Sequence, residues 1–196
     1  AEVEKTLMGL GFLRSDFSRS TKEFSGGWRM RIELAKILLQ KPDLILFTGD
    51  LVNNVADEMT DYMDVFNKLH APLGVFSILG NHDYGDYINW ESNEEKVANL
   101  ERLKKIHTTL GWRLLLNEHV TLEKGNEKMA LLGIENWSAK ASFAKYGNLQ
   151  KAYAGTETHS FKILLSHDPS HWKAEVLESY PDIDLMLSGH THGMQF

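Results

Sequence analysis

Four short stretches of this chain carry side chains that hold metal ions or move protons: Gly49-Asp50, Gly80-Asn81-His82-Asp83, His167 and Gly189-His190-Thr191-His192. Between them they offer carboxylate oxygen, amide oxygen and imidazole nitrogen. That mixture suits Mn, Fe, Zn or Ni better than Ca or Mg. Read together, in this order, they have the make-up of a site for a divalent transition metal.

Each stretch follows an apolar run of strand length: Leu44–Phe47, Val75–Leu79, Ile163–Leu165 and Leu185–Leu187. Unbroken runs of this kind are expected of strands covered on both faces. Strand carboxyl ends in an α/β protein converge on one crevice, where such sites lie. Between the strands, helices are expected over residues 2–10, 25–40, 57–69, 92–110, 141–153 and 172–179. Ser92-Asn93-Glu94-Glu95 has the form of a capping box. From Trp112 the apolar period shifts towards two, which predicts a strand near 113–116 and a hairpin, 120–123 with 129–134, turning at Lys124-Gly125-Asn126-Glu127. Tyr84 to Trp90 is an aromatic loop placed to wall a pocket. His70, His107, His119 and His159 read as surface groups, and His171 as a packing or capping group at least as readily as a pocket one. Arg14, Arg19 and Asp16 read as solvated.

The chain has 196 residues, 42% of them apolar and 24% charged, with net charge −6 and no cysteine. Its length suits one domain. The acidic balance and the lack of a Lys/Arg block argue against a nucleic-acid surface, and disulfides and thiolate metal sites are excluded. No signal peptide and no membrane span are legible, so a soluble chain, cytoplasmic or recombinant, is expected.

The four motifs, in this order, resemble those of the calcineurin-like metallophosphoesterases, whose pattern runs Asp-x-His, Gly-Asp, Gly-Asn-His-Asp/Glu, a lone His, Gly-His-x-His. The resemblance covers about Pro42 to Phe196. Ser166-His167-Asp168-Pro169 and Ser188-Gly189-His190-Thr191-His192-Gly193 are similar to the bacterial phosphodiesterase-like branch. It implies an α/β layered sandwich, two sheets flanked by helices, and a phosphoester substrate. It also implies that Asp50 bridges two metals, that Asn81, His167 and His190 complete one of them, and that His192 serves the other. His82 and Asp83 are then the catalytic pair, His82 acting on the phosphate or leaving group with Asp83 holding its ring. Any one of these residues alone would be read as a strand-end turn residue; five in the family's order are not.

The departures are equally specific. No Asp-x-His precedes Gly49-Asp50, so the family's first strand is expected to be missing, along with its C-terminal strands. Residues Glu23 to Lys36 resemble instead the signature helix of soluble ABC ATPases, a likeness covering roughly residues 1–46. The chain therefore reads as a chimera forming a single fused domain, 1–196: an ABC-ATPase-like helical segment, 1–41, and a truncated metallophosphoesterase-like portion, 42–196, joined within Pro42–Phe47. Ser25-Gly26-Gly27 could cradle phosphate, but no phosphate loop and no Asp-Glu pair accompany it, so it reads as a capped helix start and the chain as no ATPase. Three functions follow in order: a metal-dependent phosphodiesterase with one complete and one incomplete metal site and weak or no activity; a catalytically inert scaffold that binds a single metal; and a nucleotide-binding remnant. Missing strands would leave open sheet edges, and self-association through them is expected.

Overall fold

In the computed structural model, which describes residues 2–191, seven strands form two sheets. The first sheet is parallel, with β1 (Ile45–Phe47), β2 (Val75–Ser77) and β3 (Arg113–Leu114) in that order; Leu46 lies opposite Phe76, and Phe76 opposite Arg113. The second joins the antiparallel hairpin of β4 (Glu118–Lys124) and β5 (Glu127–Gly133) to β6 (Lys162–Leu165) and β7 (Leu185–Leu187), which run parallel to β5.

Side-chain alternation along the strands sorts the apolar residues into three cores. Phe76, Ile78, Leu131, Ile163 and Leu165 meet between the sheets. Outside the first sheet, Val75, Leu79 and Trp112 pack under helices α1 (Glu2–Gly9), α2 (Gly26–Gln40), α3 (Met63–Phe66) and α4 (Asn93–Thr109) through Leu34, Ala35, Val65 and Leu103. Outside the second, Ala130, Leu132 and Leu164 pack under α5 (Leu149–Tyr153) and the turn leading to α6 (Leu177–Ser179) through Leu149, Ala152 and Val176. The layered α/β sandwich expected from the sequence is what forms.

Two expected helices are shorter than their periodicity suggested. Over residues 57–69 the chain makes a 3₁₀ turn at Ala56–Met59 and then the single α-turn of α3. Ala56 and Val65 are both buried, yet nine residues apart they would face opposite sides of one straight helix, so the helix breaks to bury both. Over 141–153 only α5 is helical. Asn136 ties down the rest: its side chain donates to the Ala144 carbonyl at 2.9 Å, and its own carbonyl accepts from the Tyr146 and Gly147 amides. His107 is also not at the surface. It is fully buried, with Nδ1 2.9 Å from the Ser77 hydroxyl.

Candidate metal centre

The four motif-bearing strand ends converge, two from each sheet. Asp50 and Asn81 follow β1 and β2; His167 and His190 follow β6 and β7. One oxygen of Asp50 and one ring nitrogen each of His167 and His190 lie within 4.8 Å of one another. The Asp50 carboxylate is 3.0 Å from His167 Nε2. Asn81 Oδ1 completes the cluster, 3.1 Å from His167 Nε2 and 2.8 Å from His190 Nδ1. A carboxylate, an amide oxygen and two imidazoles thus face one point, which is the donor set a divalent transition metal takes. His192, the fifth candidate ligand, lies outside the described residues.

Glycines at the motif starts allow this approach. A Cβ on Gly80 would sit 2.2 Å from an Asp50 carboxylate oxygen and 2.7 Å from the Asp50 amide nitrogen. Gly49 adopts φ +94°, and a Cβ there would meet the Gly80 amide at 2.6 Å. The two loops therefore touch backbone to backbone. Asp50 and His190 themselves have positive φ, 59° and 63°, a conformation that non-glycine residues rarely hold and that clusters at functional sites.

Hydrogen bonds aim each ligand. His167 Nδ1 donates to the Thr48 carbonyl at 2.7 Å, which leaves Nε2 facing Asp50 and Asn81 and free to hold a metal. The Nε2 of His190 faces Asp168 at 3.7 Å, and Asp168 is itself held by the Ser138 hydroxyl at 2.5 Å. Burial works to raise the Asp50 carboxyl, but His167 and the His82 amide outweigh it and hold it below the ordinary carboxylate range. Burial works to lower the His167 imidazole, and Asp50 holds it above its usual value. His190 shifts down, chiefly through burial.

Asp83 does not hold the His82 ring. It is fully buried and accepts backbone amides from Gly80 (2.8 Å), Asp50 (2.9 Å), Leu51 (2.8 Å) and Val52 (3.2 Å), fastening both ligand loops together. Its side chain turns inward under the loops, so the ring of His82 finds other partners. His82 Nδ1 donates to the Asn53 carbonyl at 2.8 Å, and its ring lies against Tyr87 at 4.6 Å. These two contacts were not legible as such; only the aromatic loop that holds Tyr87 was.

Beside Asp50 opens a cavity of about 410 Å³, lined by Phe47, Thr48, Asn53, His82, Ser188 and Thr191 among others. His171 sits behind the site rather than in it, bonded to Ser166 and Glu175 and packed at a tilt against Trp137, ring centroids 4.1 Å apart. Asp16 pairs with Arg19 at 2.8 Å in a separate hollow near the start of α2.

Comparison with known proteins agrees with this geometry. A family profile described as calcineurin-like phosphoesterase matches residues 25–194, beginning at the start of α2 and running through Pro42. An uncharacterized metallophosphoesterase of Campylobacter jejuni is 32% identical over 162 residues, covering 83% of this chain and 38% of that protein. A UDP-2,3-diacylglucosamine pyrophosphatase of Chlamydia trachomatis is 32% identical over 191 residues, covering 82% of this chain and 56% of that protein. The chain thus spans about half, or less, of the length of such relatives. Among solved structures, the NAD nucleotidase of Haemophilus influenzae shares the fold, with TM-score 0.54 at 19% identity over 83% of this chain and 32% of its own. Four candidate ligands at four strand ends and a profile match across most of the chain agree: this chain belongs to the calcineurin-like phosphoesterases.

Proposed function

We propose that this chain is a metal-dependent phosphoester hydrolase, acting on a phosphodiester or pyrophosphate linkage, with one well-formed metal site. The convergence of Asp50, Asn81, His167 and His190 carries this reading. A divalent ion held by these residues would supply Lewis-acid polarisation of a phosphoryl oxygen and activation of water. His82 lines the adjacent cavity; with Nδ1–H committed to Asn53, its Nε2 is the atom that would give a proton to the departing oxygen as the P–O bond breaks. Asp83 acts indirectly, by holding the ligand loops. The relative from Chlamydia, named for a pyrophosphatase activity, supports a substrate of the phosphoanhydride or diester class.

The far side of Asp50 supports weak rather than full activity. The cavity there is lined by hydroxyls, an amide and His82; among the described residues no carboxylate other than Asp50 reaches it. A second ion would have Asp50, with His192 as the sequence's further candidate. We therefore expect one tightly held Mn²⁺ or Zn²⁺ per chain by elemental analysis, and slow hydrolysis of bis(p-nitrophenyl) phosphate. Asp50→Ala should abolish both. His82→Ala should spare metal binding and lower any rate by about 10²–10⁴-fold, the usual share of a general acid. Two stoichiometric ions would show that further ligands exist, and no ion after incubation with excess metal would favour the inert scaffold.

The outer edges of β1 and β7 carry no partner strand among the described residues, and we infer that they pair with a second copy of this chain. A mass by light scattering that stays monomeric at high concentration would count against it. The origin of residues 1–41 in a separate segment joined within Pro42–Phe47 rests on their ABC-like sequence alone. Relatives in which both segments always occur together would overturn it.

A further inference from the structure

We propose that Glu58 is a positioning residue for His82: its carboxylate fixes the peptide whose carbonyl keeps a proton on His82 Nδ1 and leaves Nε2 free. The proposal rests on the reading of His82 as proton donor. A backbone carbonyl can only accept, so the 2.8 Å contact between His82 Nδ1 and the Asn53 oxygen is a bond given by the ring. In the neutral ring Nε2 then bears the lone pair, and in the protonated ring it bears the proton that can leave. The state of His82 therefore depends on where the Asn53 carbonyl is held.

Side chains do the holding. Every amide from Asp50 to Ala56 is given to one: Asp50, Leu51 and Val52 to Asp83, Asn53, Asn54 and Val55 to Glu58, and Ala56 to the buried Asn99 of α4. Glu58 Oε2 takes the Asn53 amide at 2.8 Å and its side-chain nitrogen at 3.1 Å. Glu58 Oε1 takes the Asn54 and Val55 amides at 2.9 Å each. The bond from Asn54 matters most. The Asn53 carbonyl and the Asn54 N–H are opposite ends of one planar peptide unit, so Glu58 grips one end while His82 donates to the other. Burial works to raise the Glu58 carboxyl, but the Val55, Asn53 and Asn54 amides hold it below the ordinary carboxylate range. It is thus an acceptor at both oxygens, with no proton to offer in exchange.

The test reads the His82 ring directly, by two-bond proton–nitrogen correlation spectra of the nitrogen-labelled full chain at a pH where imidazoles are neutral. In the parent the proton should lie on Nδ1. Glu58→Gln keeps the size of the side chain but sets an NH₂ donor against two of the present donors. In that variant the proton should move towards Nε2, which a free histidine side chain prefers. Mn²⁺ affinity should stay at the parent value, because Asp83 still holds the Asp50 and Gly80 amides. With diphenyl phosphate, whose phenolate leaves poorly without a proton, kcat should fall by about 10- to 100-fold, the scale of a misplacement of about 1 Å. In the His82→Ala background Glu58→Gln should cause no further loss. A parent ring protonated on Nε2, or a His82 spectrum unchanged by Glu58→Gln, would overturn the proposal, and a loss of stability alone would not restore it. Losses that multiply in the double variant would overturn it as well. A shifted proton with an unchanged rate would support Glu58 as the positioning residue and overturn His82 as the proton donor instead.

Discussion

Four backbone amides meet at the carboxylate of Asp83, and the consequences reach beyond that residue. Burial pushes this carboxyl up to about 6, the neighbouring Asp50 charge adds to the shift, and the amides oppose it. Removing the carboxylate would leave the amides of Gly80, Asp50, Leu51 and Val52 without this partner. Each buried unpaired donor costs roughly 1–3 kcal/mol. Asp83→Ala should therefore destabilise the fold by on the order of 3 kcal/mol or more, measured by urea unfolding, and should loosen Asp50 and Asn81 enough to abolish Mn²⁺ binding. A variant that keeps both stability and metal would show that the loops are held by other means. The motif Gly-Asn-His-Asp was legible as chemistry, but this division of labour was not. Sequence order places Asp83 beside His82, whereas the 3₁₀ turn at His82–Tyr84 sends consecutive side chains in different directions, one outward to the cavity and one beneath the loops.

At the scale of elements, β2 and α4 are coupled through a buried histidine. His107 of α4 meets Ser77 of β2, with no exposure to water. Burial pushes its imidazole down to about 4 from the ordinary 6.5. Between those values the folded chain binds fewer protons here than the unfolded chain does. The stabilising contribution is complete above the unfolded value and is lost as pH falls through about 4, a total of about 3 kcal/mol. His107→Gln can keep the bond to Ser77 but cannot titrate. The difference in unfolding free energy between roughly pH 7 and pH 4.5 should shrink by about 2–3 kcal/mol in that variant. An unchanged pH dependence would show that His107 is not the group responsible. This residue also marks where reading by element fails. Helix α4 is polar nearly throughout, so its last-turn histidine looks like a surface group; only the sheet beneath it, seen in three dimensions, turns that face into core. The strands were legible for the opposite reason. Short apolar runs ending in glycine and a metal-ligating residue have few alternatives, and the hairpin turned where Gly125 permits it.

At the scale of the whole molecule, the described residues form two sheets that share one cluster of candidate ligands. Each sheet contributes two of the candidate donors, and direct contacts link the sheets at that point: His167 meets the Thr48 carbonyl, Asp50 and Asn81, and His190 meets Asn81. An ion bound there would act as a clip across the interface, adding stability in proportion to its concentration over the dissociation constant. At about 100 times that constant the gain is about 2.7 kcal/mol, which for a chain of this size raises the midpoint of thermal unfolding by roughly 5–10 °C. Asp50→Ala, from the first sheet, and His190→Ala, from the second, should each remove the whole shift rather than half of it, because either loss opens the clip. Hydrogen exchange should slow on metal addition at the ends of β1 and β2 and of β6 and β7 together. Protection confined to one sheet, or a thermal shift that survives His190→Ala, would mean that the ion binds elsewhere. The same geometry explains how motifs so far apart in the chain meet: four strand ends, two from each sheet, bring a carboxylate, an amide and two imidazoles to one place.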